Sequence, residues 1–134
     1  MLLFLLFCGL GSEDEAVWQV VDHSYVQAVH RQANEAAMRQ GFHPDFVMTI
    51  QTEDGIRKMS LDEWATGVAK AEAKAEPPRN IRAEQRQITV EGNAATVVLD
   101  LYRDEQKIFT DFLALYRYPD GWKIVSKTFF RHPK

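Results

Sequence analysis

The sequence predicts an α+β fold in which a helical layer packs on one face of a curved, mostly antiparallel sheet. Two observations carry this. Apolar residues recur at a helical spacing near 3.6 in the first half of the chain and alternate with a period of 2 in the second half. Helices run first and strands follow, rather than alternating one by one, and this order segregates the helices to one side of the sheet. The 134 residues, 46% hydrophobic and 26% charged, suit a single domain with one core.

The elements follow in order. Ser12-Glu13-Asp14-Glu15 is a capping box, with three acids on the positive end of the helix dipole. Val17, Val20, Val21, Ser24, Tyr25 and Ala28 then form one stripe, which predicts a long amphipathic helix over 13–31. On that helix His23 and His30 are placed on the outer side. "NEAAMRQG" reads as a second helix begun by Asn34 and stopped at Gly41. "FHPDFVMTIQTEDGIRKM" reads as a hairpin turning at Glu53-Asp54-Gly55. Ser60-Leu61-Asp62-Glu63 caps a third helix that runs to about 75 and ends in "AEPPRN", where two prolines stop the ladder. Strands are predicted over 80–91, 94–103, 107–118 and 121–131, joined at Gly92-Asn93, "DEQ" and Pro119-Asp120.

Residues 1–11, "MLLFLLFCGLG", stand apart from this domain, which occupies 12–134. The apolar run is shorter than the about 20 residues that span a bilayer, so no stable membrane span is expected. It reads as a truncated signal peptide or as a lipoprotein-like segment with Cys8 as the lipid attachment point. Either reading places the protein outside the cytoplasm, periplasmic or secreted, and a cytoplasmic location follows if the leader is an artefact.

Composition also excludes function classes. A net charge of −3 without a basic run leaves no footprint for nucleic acid. Cys8 is the one cysteine and the four histidines are scattered, so neither an intrachain disulfide nor a metal site is expected.

The strand pairing can be followed residue by residue. A turn at Pro119-Asp120 sets Leu115 opposite Ile124, Leu113 opposite Ser126 and Asp111 opposite Thr128. The earlier turn sets Leu101 opposite Phe109 and Leu99 opposite Asp111. Period-2 alternation then gathers Val97, Leu99, Leu101, Phe109, Leu113, Leu115, Trp122 and Ile124 on the face that meets the helices. Asp111, Ser126 and Thr128 share that face. The opposite face carries Tyr102, Phe112, Tyr116 and Phe129, an aromatic patch that suits a homodimer interface.

The order of these segments, with "GFHPDFVM" after the second helix and "FTDFLALYRYPDGWKIVSKTF" as the last hairpin, resembles the nuclear transport factor 2-like superfamily. Within it the pattern is similar to bacterial lumazine-binding and SnoaL-like proteins, over residues 13–131. The resemblance implies a cone: a strongly curved, mixed, mostly antiparallel sheet wrapped around an N-terminal helical layer, with a pocket at the wide end and homodimers through the sheet. The superfamily holds ketosteroid isomerases, dehydratases, polyketide cyclases and proteins without an assigned activity.

Three roles stay open for Asp111. It can be a structural acid satisfied by Thr128, Ser126 or helix amides, since a buried carboxylate must be paired. It can bind a ligand, or it can act as the general base of an isomerase or dehydratase, with Tyr25 supplying a hydroxyl. His43 in "FHPDF" is expected to hydrogen-bond its own loop. The sequence therefore points to a small-molecule-binding domain with an apolar pocket lined by Trp64, Leu99, Leu101, Phe109, Asp111, Ser126 and Thr128. The expected partners are a small apolar or aromatic molecule and a second copy of the chain, with no cofactor. An isomerase or dehydratase and a homodimerisation scaffold with a collapsed pocket are the alternatives.

Overall fold

Ser12, Asn34 and Ser60 open the three helical segments as their positions predict. Ser12 Oγ accepts from the Glu15 amide at 3.2 Å, Asn34 Oδ1 from Ala37 at 3.1 Å and Ser60 Oγ from Glu63 at 3.1 Å. The computed structural model describes residues 12–134, and the apolar leader with Cys8 lies outside the described residues. Helix α1 (Glu13–Val21) continues directly into a π-helical segment (Asp22–Arg31), followed by α2 (Glu35–Gly41) and α3 (Leu61–Ala73). Among the described residues no helix is long and apolar enough to cross a membrane.

The strands are β1 (Phe42–Gln51), β2 (Ile56–Ser60), β3 (Ile81–Glu91), β4 (Ala94–Arg103), β5 (Gln106–Tyr118) and β6 (Gly121–Arg131). They form one mixed sheet in the order β2-β1-β6-β5-β4-β3, antiparallel throughout except where β1 lies parallel to β6. The sheet is curled but not closed, the cone the resemblance implies. Asp104 and Glu105 both take positive φ, 50° and 63°, which matches the twist of a two-residue hairpin turn. Its concave face and the helices enclose the core, which includes Val17, Val21, Tyr25, Phe42, Phe46, Leu99, Leu101, Leu113 and Ile124.

Two local departures from simple periodicity decide what reaches that core. The first is the π-helical segment. Its i→i+5 bonding, seen in the Gln32 amide donating to the Gln27 carbonyl at 2.9 Å, brings residues five apart towards one side. His30 therefore swings inward beside Tyr25, whereas the 3.6 spacing placed it outside; His23 is exposed as expected. The second is a β-bulge in β6. Leu115 pairs with Ile124 as predicted, but Ala114 then pairs with Ser126, so Val125 is the extra residue.

Beyond the bulge every side chain changes face. Lys127 pairs with Leu113 and Phe129 with Asp111, on the concave face, while Thr128 pairs with Phe112 on the convex face. The expectation that Ser126 and Thr128 face the interior is corrected: both are exposed, because one inserted residue inverts a period of 2. Phe129 is corrected in the opposite sense, from the outer patch to the concave side, and Phe130 takes its place outside.

Candidate functional site

The concave face holds a buried polar cluster contributed by three elements. The π-helical segment supplies Tyr25 and His30, β5 supplies Asp111, and the bulged half of β6 supplies Lys127. Asp111 and Tyr25 have no solvent exposure and Lys127 retains 5%. Tyr25 stands at the centre. Its hydroxyl donates to Asp111 Oδ2 at 2.5 Å and accepts from Lys127 Nζ at 2.6 Å. His30 Nε2 lies 3.0 Å from the same oxygen. Because the hydroxyl has one proton and gives it to Asp111, the network assigns His30 the Nε2–H tautomer.

Lys127 Nζ is 3.7 Å from Asp111 Oδ1, an ion pair without a direct hydrogen bond. Asp111 Oδ1 is thus buried with no hydrogen-bond partner. Three aromatic rings close around the ammonium, with Nζ at 4.6 Å from the Tyr25 centroid, 4.9 Å from Trp64 and 5.0 Å from Phe129. Trp64 packs edge-on to Tyr25 and Phe42, and Phe109 packs edge-on to Phe129. Leu99 lies directly opposite Asp111 in the sheet, and Leu101 opposite Phe109.

Burial dominates the electrostatics. It raises the Asp111 carboxyl above its usual range, partly offset by the Lys127 charge and the Tyr25 hydrogen bond. It pulls Lys127 down to about 8 against the attraction of Asp111. The Tyr25 phenol is raised well above its ordinary value, by burial first and then by the neighbouring carboxylate. His30 falls to about 3, through burial and the positive charges of Lys127, Arg79 and Arg103, so it is neutral here. The interior thus penalises both charges of the Lys127–Asp111 pair, and a proton path between them runs through the Tyr25 oxygen.

Asp111, Tyr25, Trp64, Leu99, Leu101 and Phe109 converge as the sequence reading expected. Lys127, His30 and Phe129 complete the cluster and were missed. The adjacent apolar pair Ile124-Val125 breaks the alternation in β6 and was the available signal for the bulge; nothing comparable marks the π-helical segment. Asp111 and Tyr25, read as base and hydroxyl donor, are bonded to each other rather than held apart. The site is closed: Trp64, Phe109 and Phe129 are half-buried over it. Prominent clefts among the described residues lie elsewhere, for example beside Arg31 and Glu72 or over Ala95 and Tyr116, and Asp111 lines none of these. Among the described residues no group of three or more His, Cys, Asp or Glu side chains could hold a metal ion.

Other candidate residues lie apart. His43 bonds its own loop, its Nδ1 accepting from the Asp45 amide at 3.0 Å. Trp122 is core, and its Nε1 donates to Glu13 at 2.9 Å. On the convex face Tyr102 lies under Arg82 at 4.2 Å, and Phe112 and Tyr116 are exposed.

Residues 12–130 match the family described as "Putative lumazine-binding". Solved structures share the fold. An NTF2-like protein of unknown function from Silicibacter pomeroyi aligns at TM-score 0.71 and 21% identity, over 88% of this chain and 94% of that one. One from Shewanella baltica gives 0.70 and 22%, covering 90% and 94%. A third, from Methylobacillus flagellatus, gives 0.70 and 19%, covering 93% and 97%. No curated protein matches the chain.

Proposed function

We propose that this chain, which belongs to the lumazine-binding family of the nuclear transport factor 2-like superfamily, binds a small planar heteroaromatic molecule against Asp111. One observation carries the reading: Asp111 Oδ1 is a buried carboxylate oxygen with no hydrogen-bond partner. Such an orphan costs about 1–3 kcal/mol, and native interiors hold few. A ligand N–H would satisfy it.

Lumazine is a suitable probe on chemical grounds. Its cyclic imide edge places an N–H between two carbonyls. The N–H fits Asp111 Oδ1, and a flanking carbonyl fits the Lys127 ammonium, 3.7 Å from that oxygen. Tyr25, Trp64, Phe109 and Phe129 offer aromatic faces for the ring system, with Leu99 and Leu101 as apolar floor. Access requires the half-buried Trp64 or Phe129 to swing aside. A catalytic reading would need Asp111 free as a base, whereas Lys127 and Tyr25 already engage it, so binding is favoured. The same reading includes pairing of two copies through the convex face, supported by Phe112, Tyr116 and Phe130, which are 47, 48 and 55% exposed.

The test is calorimetric titration of the full chain with lumazine. Saturable binding at one site per chain is expected, weakened about tenfold or more in Asp111→Asn, since hydrogen bonds to charged groups contribute about 1.5–3 kcal/mol. Absence of binding by the unaltered chain overturns the reading.

A further inference from the structure

The polar cluster contains more than a binding site needs. A ligand N–H asks for an acceptor and a ligand carbonyl for a donor, but neither asks for an amine enclosed by three rings with a proton path to a carboxyl group. We propose that Lys127 is a reactive amine that condenses with aromatic aldehydes to form an imine. The inference rests on the binding reading, since the aldehyde must reach the same site.

The geometry supplies each part of the reaction. Lys127 Nζ donates to Tyr25 Oη at 2.6 Å, and Tyr25 Oη donates to Asp111 Oδ2 at 2.5 Å. Passing one proton along each bond turns the ammonium into a free amine and the carboxylate into a carboxylic acid, and leaves the phenol neutral. No net charge enters or leaves the site. The products are two neutral groups, and burial, which acts against both charges, lowers the cost of reaching them. Tyr25, Trp64 and Phe129 keep water from the amine, with ring centres 4.6 to 5.0 Å from Nζ, and present surfaces on which an aromatic aldehyde can stack.

The free amine attacks the aldehyde carbon, forming a C–N bond while the carbonyl π electrons move to oxygen. The Asp111 acid, protonated at Oδ2 by that relay, gives the proton to the new oxygen anion and returns to carboxylate. The carbinolamine passes one N–H proton through Tyr25 to the Asp111 carboxylate, which gives it to the hydroxyl, and water leaves as the C=N bond forms. The balance is amine plus aldehyde to imine plus water, with no redox change. Lys127 and Asp111 act on the reacting atoms, and Tyr25 relays the proton. The lowered affinity of Lys127 for its proton, with a pKa of about 8 against 10.5, adds to this by enlarging the free-amine fraction near neutral pH.

The experiment treats the full chain with benzaldehyde and cyanoborohydride at pH 7, then maps the reductively trapped lysines by peptide mass spectrometry. Lys127 is expected to label at least about tenfold faster than the exposed Lys58, Lys70 and Lys74, in line with its larger free-amine fraction. Tyr25→Phe should slow labelling at Lys127 and leave the exposed lysines unchanged, a split that a merely structural role would not produce. Labelling of Lys127 no faster than the exposed lysines overturns the proposal. Lumazine titration without hydride reads the binding proposal separately, so lumazine binding without a Lys127 adduct refutes only the imine chemistry.

Discussion

Tyr25 and Asp111, 86 residues apart, meet through a 2.5 Å hydrogen bond in the interior, and the same phenol oxygen takes a proton donor from Lys127. One hydroxyl therefore holds both members of a buried ion pair. Removing one charge strands the other. Lys127→Met should cost about 3–5 kcal/mol in urea denaturation, while Asp111→Asn combined with Lys127→Met should recover most of that loss. Additive single effects, with no coupling beyond about 0.5 kcal/mol, would contradict the pairing.

The lowered pKa of His30 makes acid sensitivity a second expectation. Between about 3 and 6.5 the folded state holds this imidazole neutral while the unfolded chain protonates it. The unfolded state binds the extra proton, so stability rises with pH across that window and is lost on acidification. His30→Gln should flatten the curve by about one proton, at most about 1.4 kcal/mol per pH unit. Parallel curves for the two proteins would show that His30 titrates normally.

Gly41 ends α2 directly against Ser24, and a Cβ there would overlap both Ser24 Oγ and Ser24 Cβ. The neighbour is a buried side chain on a packed helical segment, with little room to yield. Gly41→Ala should lower stability by about 1–3 kcal/mol, the usual cost of overpacking, and Ser24→Gly in the same chain should relieve it. A neutral Gly41→Ala in a thermal melt would refute the close approach.

If two copies pair through the convex face, sedimentation at micromolar concentration should give a dimer. Phe112→Glu with Tyr116→Glu should convert it to a folded monomer, because charges on a desolvated patch oppose its burial. A monomeric unaltered chain would remove this interface.

Most of the fold was legible because it depends on signals within a few residues. Capping boxes, Gly-containing turns and alternation placed the helix starts and the last four strands within one residue of their observed bounds. Asp111 was identified as the interior acid because the expected three-residue "DEQ" loop gives it the same register with Leu99 as the observed two-residue turn followed by an extra residue, Ile108, in β5. Its partners were misassigned for a different reason. Periodicity extrapolates, and an error of one position in β6 propagates to every later residue; Thr128 was expected where Phe129 stands and Ser126 where Lys127 stands. His30 was misplaced by the same logic on a helix, since a 3.6 spacing does not describe i→i+5 bonding. The leader residues 1–11 lie outside the described residues.

The bulge at Val125 has a consequence for how such a site diversifies. Exchanging a buried lysine and phenylalanine for a serine and a threonine ordinarily takes separate substitutions, each with its own intermediate. Here the bulge does it alone: pairing Val125 into the ladder would shift the distal half of β6 by one position and present Ser126 and Thr128 to Asp111, whereas deleting Val125 would leave Lys127 and Phe129 facing inward. Two chains that share this sheet can therefore differ in the whole chemical character of their interior by whether this residue is bulged or paired. An alignment that ignores gaps in β6 would pair residues pointing in opposite directions.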